Sequence, residues 1–485
     1  MNSTLVTFAV YFIFLTTVGI FFYRRTSSIE DYLLGGRGLG RWVTALSAQA
    51  SDMSGWLLMG LPGAVYLGGM PAAWIAIGLF IGTVLNWKFV SVRLRIYTEK
   101  TDSLTLSTFF ENRFRDPSGL LRTISAIITL IFFTIYASSG LVAAGKLFES
   151  LFSVDYRMAV TIGAFAIVLY TFLGGFLAVS WTDLFQGSLM IIAIIAVPAI
   201  ALSQAGGTQG IAEAMKARQI ATGLIQNGGL SIVAIISTMA WGLGYFGQPH
   251  ILARFMGIKS ARELPGAMSI AVIWVFISLA GAVIIGLISI PMFEGLTQGN
   301  QEKVFIYMIN TVFNPWTGGI MLAAILSAIM STIDSQLLVS SSTLTEDFYI
   351  KVIRRNAGEK ELVLVGRLCV IIISVIALFL AFNPQNTVLG LVSYAWGGFG
   401  AAFGPLVLFA LFSRKTGWQS ALAGMVTGTI VLVLWKHTGM GDVMYEIVPG
   451  FLANCITMII MNRFFREERE EITDEFDSVA AESQM

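Results

Sequence analysis

Charge is what this sequence has least of. Only 12% of its 485 residues are Asp, Glu, Lys or Arg, against 56% hydrophobic, where a water-soluble domain carries roughly 25% charge. The net charge is +1, which excludes a basic surface for nucleic acid. There are two cysteines, Cys369 and Cys455, each inside an apolar run. They are too few for a disulfide framework or a thiolate metal site and read as small core residues. The two histidines, His250 and His437, stand far apart, so zinc chemistry has no support. No nucleophile–base pair or phosphate-binding loop offers an enzymatic reading.

Long apolar runs are what remains. A membrane span needs about 20 apolar residues, because hydrocarbon offers backbone polar groups no partner. The sequence predicts thirteen runs, at 5–23, 41–66, 71–92, 122–148, 158–178, 181–204, 230–253, 266–290, 317–345, 363–382, 387–412, 418–436 and 444–464. The fold class is therefore an all-α membrane protein. Nothing between the runs could hold a separate domain, so residues 1–465 form one transmembrane unit. Residues 466–485 are expected as a polar, solvated cytoplasmic tail. The first run is expected to be retained, since Arg24 and Arg25 follow it where a cleavage site needs small residues. With the N-terminus outside, all but six of the 30 lysines and arginines fall on the cytoplasmic side. The six are Lys146, Arg157, Lys216, Arg218, Lys303 and Lys436.

Two runs make poor continuous helices. The second carries Ser47, Ser51, Asp52, Ser54 and Gly55 at mid-depth, and the seventh carries Gly242, Gly244, Gly247 and Pro249. Glycine loosens the backbone, and proline removes a donor and clashes with the preceding turn. Such residues also occur as plain packing faces in membrane bundles. Counted from the second run, however, these two open consecutive groups of five. Interrupted helices in matching positions of two repeats are where secondary transporters bind their cargo. A channel would need polar groups in a file, and here they cluster at one depth.

Asp52 is a carboxylate in hydrocarbon, at a cost of about 3 kcal/mol. It either caps the break by accepting N–H bonds or gathers a cation, and the two roles are compatible. In the ninth run, Ser331 and Thr332, with the Ala328 carbonyl one turn earlier and carbonyls of the broken helix, would give a hard cation an oxygen cage. Ser and Thr in membrane helices also simply bond back to the previous turn. Asp334 and Ser335 follow in the same run. Asp183, at the start of the sixth run, either snorkels to the interface or pairs with that cluster. Trp241 and Tyr245 around the glycines suggest a small apolar pocket with polar tips.

Seven stretches together make the sequence recognisable: DYLLGGRGLG (31–40), LSAQASDMSGWLLMGLPGA (46–64), FFTIYASSG (132–140), FLGGFLAVSWTD (172–183), WGLGYFGQPHILARF (241–255), AILSAIMSTIDSQLLVSSS (324–342) and VLGLVSYAWGGFGAAFGP (388–405). In this order they resemble the sodium:solute symporter family, over the whole chain up to the tail. The resemblance implies a leucine-transporter-type five-plus-five inverted repeat, with one extra helix before it and two after. It implies sodium held by the carbonyls of Ala50, Met53 and Ala328 and the hydroxyls of Ser331 and Thr332, with Asp52 organising the site. It further implies L-proline as cargo, or failing that another small organic solute, in a bacterial inner membrane. Tyr136, Trp241, Tyr245 and Pro249 would line the pocket, with Trp56, Gln248, Ser54 and Gly55 beside them. Asp334 stands where some relatives have a small residue. With Ser331, Ser335 and Asp183 it would make a second cation site, as known in some members.

Overall fold

The computed structural model describes residues 3–23, 28–225, 231–354, 356–383 and 385–483. Arg24, Arg25 and Arg355 of the basic residues counted above, the first residue of the seventh run and the last two of the tail lie outside the described residues.

The described residues are helical almost throughout. In chain order the α-helices are α1 (Ser3–Tyr23), α2 (Ile29–Leu34), α3 (Arg41–Asp52), α4 (Leu61–Gly68), α5 (Ala73–Leu85), α6 (Ser91–Lys100), α7 (Leu106–Phe114), α8 (Leu120–Phe152), α9 (Tyr156–Gly174), α10 (Phe176–Gln204), α11 (Gly207–Ala217), α12 (Ile232–Met239), α13 (Pro249–Gly257), α14 (Leu264–Met292), α15 (Val304–Val312), α16 (Pro315–Ser342), α17 (Glu359–Ala381), α18 (Val388–Phe412), α19 (Trp418–His437), α20 (Ile447–Met461) and α21 (Glu470–Glu482). Among the described residues, nine helices are long and apolar enough to cross a membrane, and four shorter apolar ones fall on the remaining expected runs.

The helices arrange as two groups of five behind α1 and ahead of α19 and α20. The first group is α3–α4, α5–α6, α8, α9 and α10; the second is α12–α13, α14, α16, α17 and α18. Each opens on an interrupted helix, as the sequence predicts. Short α7 and α15 hold matching places, between the second and third members of each group. Their apolar residues alternate too briefly for a span, and the sequence reading passed over both.

One end of the molecule gathers the segments around residues 28–41, 100–120, 254–263, 343–367 and 413–418. There Arg37 donates to the carbonyls of Thr98 (3.1 Å), Ser103 (3.0 Å) and Met256 (3.0 Å). The other end gathers 66–72, 150–157, 293–303 and 382–388. There Lys146 pairs with Glu302 at 2.5 Å, and Glu302 also accepts the Val388 and Leu389 N–H groups that open α18.

One expectation changes, and three basic residues sit deeper than their assignment to a side implies. Arg113, Lys146 and Arg254 are buried. Lys146 and Arg254 meet buried carboxylates, Glu302 and Asp183, while Arg113 donates to the Ala410 and Ser413 carbonyls that end α18. The tail, expected to be solvated, forms amphipathic α21. Its Ile472, Phe476 and Val479 recur at helical spacing and are buried, with Phe476 under the Arg113 guanidinium at 5.2 Å. Ion pairs Arg115–Glu475 (2.9 Å), Arg414–Asp477 (2.7 Å) and Lys100–Glu482 (2.9 Å) fasten the polar side. The sequence hid this because the partner surface comes from α6 and α7, far away in the chain.

Candidate functional site

The site begins with a broken hydrogen-bond ladder. Helix α3 stops at Asp52, and Met53 leaves helical geometry at φ −80°, ψ 74°. In a continuous helix the Ser54 N–H would bond the Ala50 carbonyl. Instead it bonds the Asp52 carbonyl at 2.9 Å. The Ala50 carbonyl is thereby released, and it accepts the hydroxyls of Ser331 (2.7 Å) and Thr332 (3.4 Å) from α16. Both hydroxyls also reach the Ala328 carbonyl, at 3.3 and 3.2 Å. Leu57 N–H bonds Ser54 O at 3.0 Å, which relieves the Met53 carbonyl of its own in-helix donor. Four of the five expected sodium oxygens thus meet at one crossing of α3 and α16. Met53 lies at the break beside them, without a recorded contact to the hydroxyls.

The Asp52 carbonyl, besides the Ser54 N–H, accepts the Trp56 indole N–H at 3.0 Å and the Tyr136 hydroxyl at 3.5 Å. The Asp52 carboxylate is fully buried. Its Oδ2 accepts the Tyr245 hydroxyl at 2.6 Å, while its Oδ1 has no hydrogen-bond partner. Among the described residues no Lys, Arg or His forms an ion pair with it. Ser54 Oγ accepts the Trp56 backbone N–H at 3.3 Å. Gly55 packs so closely that an added Cβ would meet the Ala143 methyl at 2.8 Å.

The second break crosses this one. After α12 the chain tightens into a 3₁₀ stretch, Ala240–Gly247, and Gln248 extends before Pro249 starts α13, as the residue before a proline prefers. The Gln248 amide donates to the carbonyls of Gly244 and Trp396, both at 3.2 Å. Gly244 is forced: a Cβ there would fall 1.9 Å from the Trp396 ring nitrogen, which donates to the Trp241 carbonyl at 2.7 Å. Trp241 faces Trp56 with centroids 6.3 Å apart and Tyr445 at 5.5 Å, and Tyr245 stands edge-on to Trp396 at 5.0 Å. Tyr136, Trp56, Trp241 and Tyr245 therefore converge on the Asp52 break. Trp241 also borders a cavity of about 400 Å³ toward the Glu302 end, and Pro249 borders a cleft of about 20 Å³ toward the opposite end.

The second acidic group divides. Asp183 does not snorkel: it is fully buried, accepts Ser47 Oγ at 2.6 Å and pairs with Arg254 at 3.4 Å. Arg254 also donates to Ser47 (3.0 Å), the His250 carbonyl (3.0 Å) and Ser335 Oγ (2.5 Å). A guanidinium thus stands between Asp183 and Ser335. Asp334 is elsewhere, accepting the Thr171 hydroxyl of α9, with its Oδ2 unpartnered. Asp183 and Ser335 share the Arg254 guanidinium, while Asp334 of the same expected group takes Thr171 as its partner. Arg254 and Thr171 were missed as site residues by sequence reasoning, and Ser47 was placed at the break but not beside Asp183. The signal available was the need of Asp183 for a buried countercharge, with Arg254 directly following the seventh apolar run.

Two interrupted helices crossing at one buried carboxylate define a secondary transporter of the inverted-repeat class. The model of the sodium:solute symporter family matches residues 32–428, and the chain belongs to that family. It is 51% identical over 465 residues to a sodium/proline symporter of Escherichia coli, covering 94% of this chain and 92% of that one. It is 48% identical to a high-affinity proline transporter of Bacillus subtilis, covering 95% and 98%. Its fold matches that of a Na+-coupled sialic acid symporter with a TM-score of 0.81 at 18% identity, over 97% and 99% of the chains. MhsT, solved in complex with L-phenylalanine, matches with a TM-score of 0.56 at 15% identity, over 87% and 98%.

Proposed function

We propose that this protein imports L-proline with sodium across a bacterial inner membrane by alternating access. The observation that carries the reading is the α3–α16 crossing. Carbonyls released by the break and two hydroxyls gather beside a buried carboxylate that has no cation of its own. Oxygen donors without nitrogen or sulfur suit a hard monovalent ion, which here is cargo. A buried carboxylate without countercharge costs several kcal/mol, so sodium arriving at the crossing stabilises the break that also forms the solute's wall. That shared segment is the physical basis of coupling, for which about 1–3 kcal/mol is typical. Proline, a small ring with a zwitterion, suits aromatic walls and helix-end dipoles. Proteins at about half identity named for proline support the choice of solute.

The cavity at Trp241 and the cleft at Pro249 lie on opposite sides of the closed site, as an alternately opened path requires. The basic-rich end carrying Arg37, Arg95, Arg113 and α21 faces the cytoplasm, which puts the N-terminus outside. Asp334, with one oxygen unpartnered, keeps a second cation open within the reading, while Arg254 already serves Asp183 and Ser335. Radiolabelled proline uptake into proteoliposomes is expected to accelerate strongly under an inward sodium gradient. Uptake indifferent to that gradient refutes the coupling.

A further inference from the structure

Two buried polar groups near Tyr136 have no hydrogen-bond partner among the described residues. One is Oδ1 of Asp52. The other is the imidazole of His250, fully buried with neither Nδ1 nor Nε2 bonded. Tyr136 touches both neighbourhoods. Its hydroxyl reaches the Asp52 carbonyl at 3.5 Å, and its ring stands at 90° to His250 with centroids 6.0 Å apart. Phe133 packs on the same imidazole at 5.5 Å. His250 follows Pro249 in the first turn of the nine-residue α13, at the positive end of the helix dipole. The Ile251 and Leu252 N–H groups there bond the Gln248 carbonyl, and the His250 backbone N–H lies beside its own imidazole.

A polar ring left unbonded in an apolar wall loses its water and gains nothing from the protein, so a ligand is the source of its missing bond. An amino-acid zwitterion presents an ammonium that donates and a carboxylate that accepts. Asp52 Oδ1 is an acceptor. The phenols and indoles of the wall carry no positive charge, and Arg254 spends its guanidinium on Asp183, Ser47, Ser335 and the His250 carbonyl. The donor pole that remains is the α13 turn with its imidazole N–H. We propose that His250 is a specificity-determining residue that, with the first turn of α13, receives the carboxylate of the transported amino acid. This rests on the proline reading above.

The test compares L-proline with L-prolinamide, which keeps the ring and amine but replaces the carboxylate by a neutral amide. Binding of labelled proline to the purified full-length protein in saturating sodium, with prolinamide as competitor, gives both affinities. In His250→Phe, proline binding is expected to weaken at least tenfold while prolinamide stays unchanged, so discrimination between them collapses. His250→Gln, which retains an N–H donor, is expected to recover part of it. Equal weakening of both ligands, or no change in either, overturns the proposal. If His250→Phe fails to fold, judged by its tryptophan fluorescence response to sodium, His250→Leu carries the same comparison. A wild-type protein that binds no proline refutes the proline reading itself, a result distinct from any outcome among the variants.

Discussion

Asp52 and Asp183 are both fully buried carboxylates in membrane-spanning helices, yet the protein treats them differently. Asp183 has a permanent countercharge in Arg254, itself bonded to Ser47, Ser335 and a backbone carbonyl. Asp52 has one neutral phenol, one unpartnered oxygen and a crossing of freed carbonyls and hydroxyls beside it. Asp183 too keeps one oxygen without a hydrogen-bond partner among the described residues, but its charge is met within the chain, and this first arrangement fastens helices α3, α10, α13 and α16. The second is complete only when a cation joins it. The comparison separates a carboxylate kept for structure from one kept for a transported charge.

The largest effect is expected where the built-in pair is broken. Arg254→Leu strands the Asp183 charge and should destabilise the protein by about 3–5 kcal/mol, while Asp183→Asn combined with Arg254→Leu should recover much of that. Denaturant unfolding in detergent reads both, and a single variant as stable as wild type would break the comparison on its structural side. Asp52→Asn should do the reverse: stability is kept or raised, but the sodium concentration for half-maximal proline binding rises about 100-fold, or about 2.7 kcal/mol. An unchanged sodium requirement breaks it on the functional side. Next come Ser331→Ala and Thr332→Ala, each deleting one oxygen at the crossing. Each should weaken sodium about tenfold, about 1.4 kcal/mol, and Thr332→Ser should restore most of the loss. If neither alanine variant moves the sodium dependence, the hydroxyls serve only the helix crossing.

The smallest effect lies farthest from both acids. Reversing Glu475 and Asp477 to Lys should loosen α21 by about 0.2–1 kcal/mol per exposed pair, an effect that high salt removes. Limited proteolysis of the tail reads it, and sodium affinity should not follow. The Glu467 carboxyl, hydrogen-bonded by Arg469, is held below the usual range. Its contribution is therefore present above the ordinary glutamate value and lost as pH falls through the lower folded one. Acidification should expose the tail in that region, and exposure on raising pH instead would contradict the assignment.

The sequence made the two breaks legible because glycine, proline and serine act on their own backbone, wherever the fold places them. Ser331 and Thr332 were legible for a similar reason: adjacent hydroxyls in an apolar run need partners. Long-range charge pairing was not. Arg254 reads as a cytoplasmic-side cation until α13 is known to pass Asp183, and Lys146 as an outer-side one until Glu302 is folded against it. The docked tail and short α7 and α15 were invisible for the same reason, since their apolar faces mean little without the surface they cover. The grouping of Asp183, Asp334 and Ser335 overlooked Arg254, which the fold brings between Asp183 and Ser335 while Asp334 accepts from Thr171.

Equilibrium binding of radioactive sodium to the purified wild-type and Asp52→Asn proteins tests the central claim most directly. The account predicts saturable sodium binding to the wild type that proline strengthens, and its loss in Asp52→Asn without unfolding. Sodium bound equally well by both proteins, with or without proline, would contradict it.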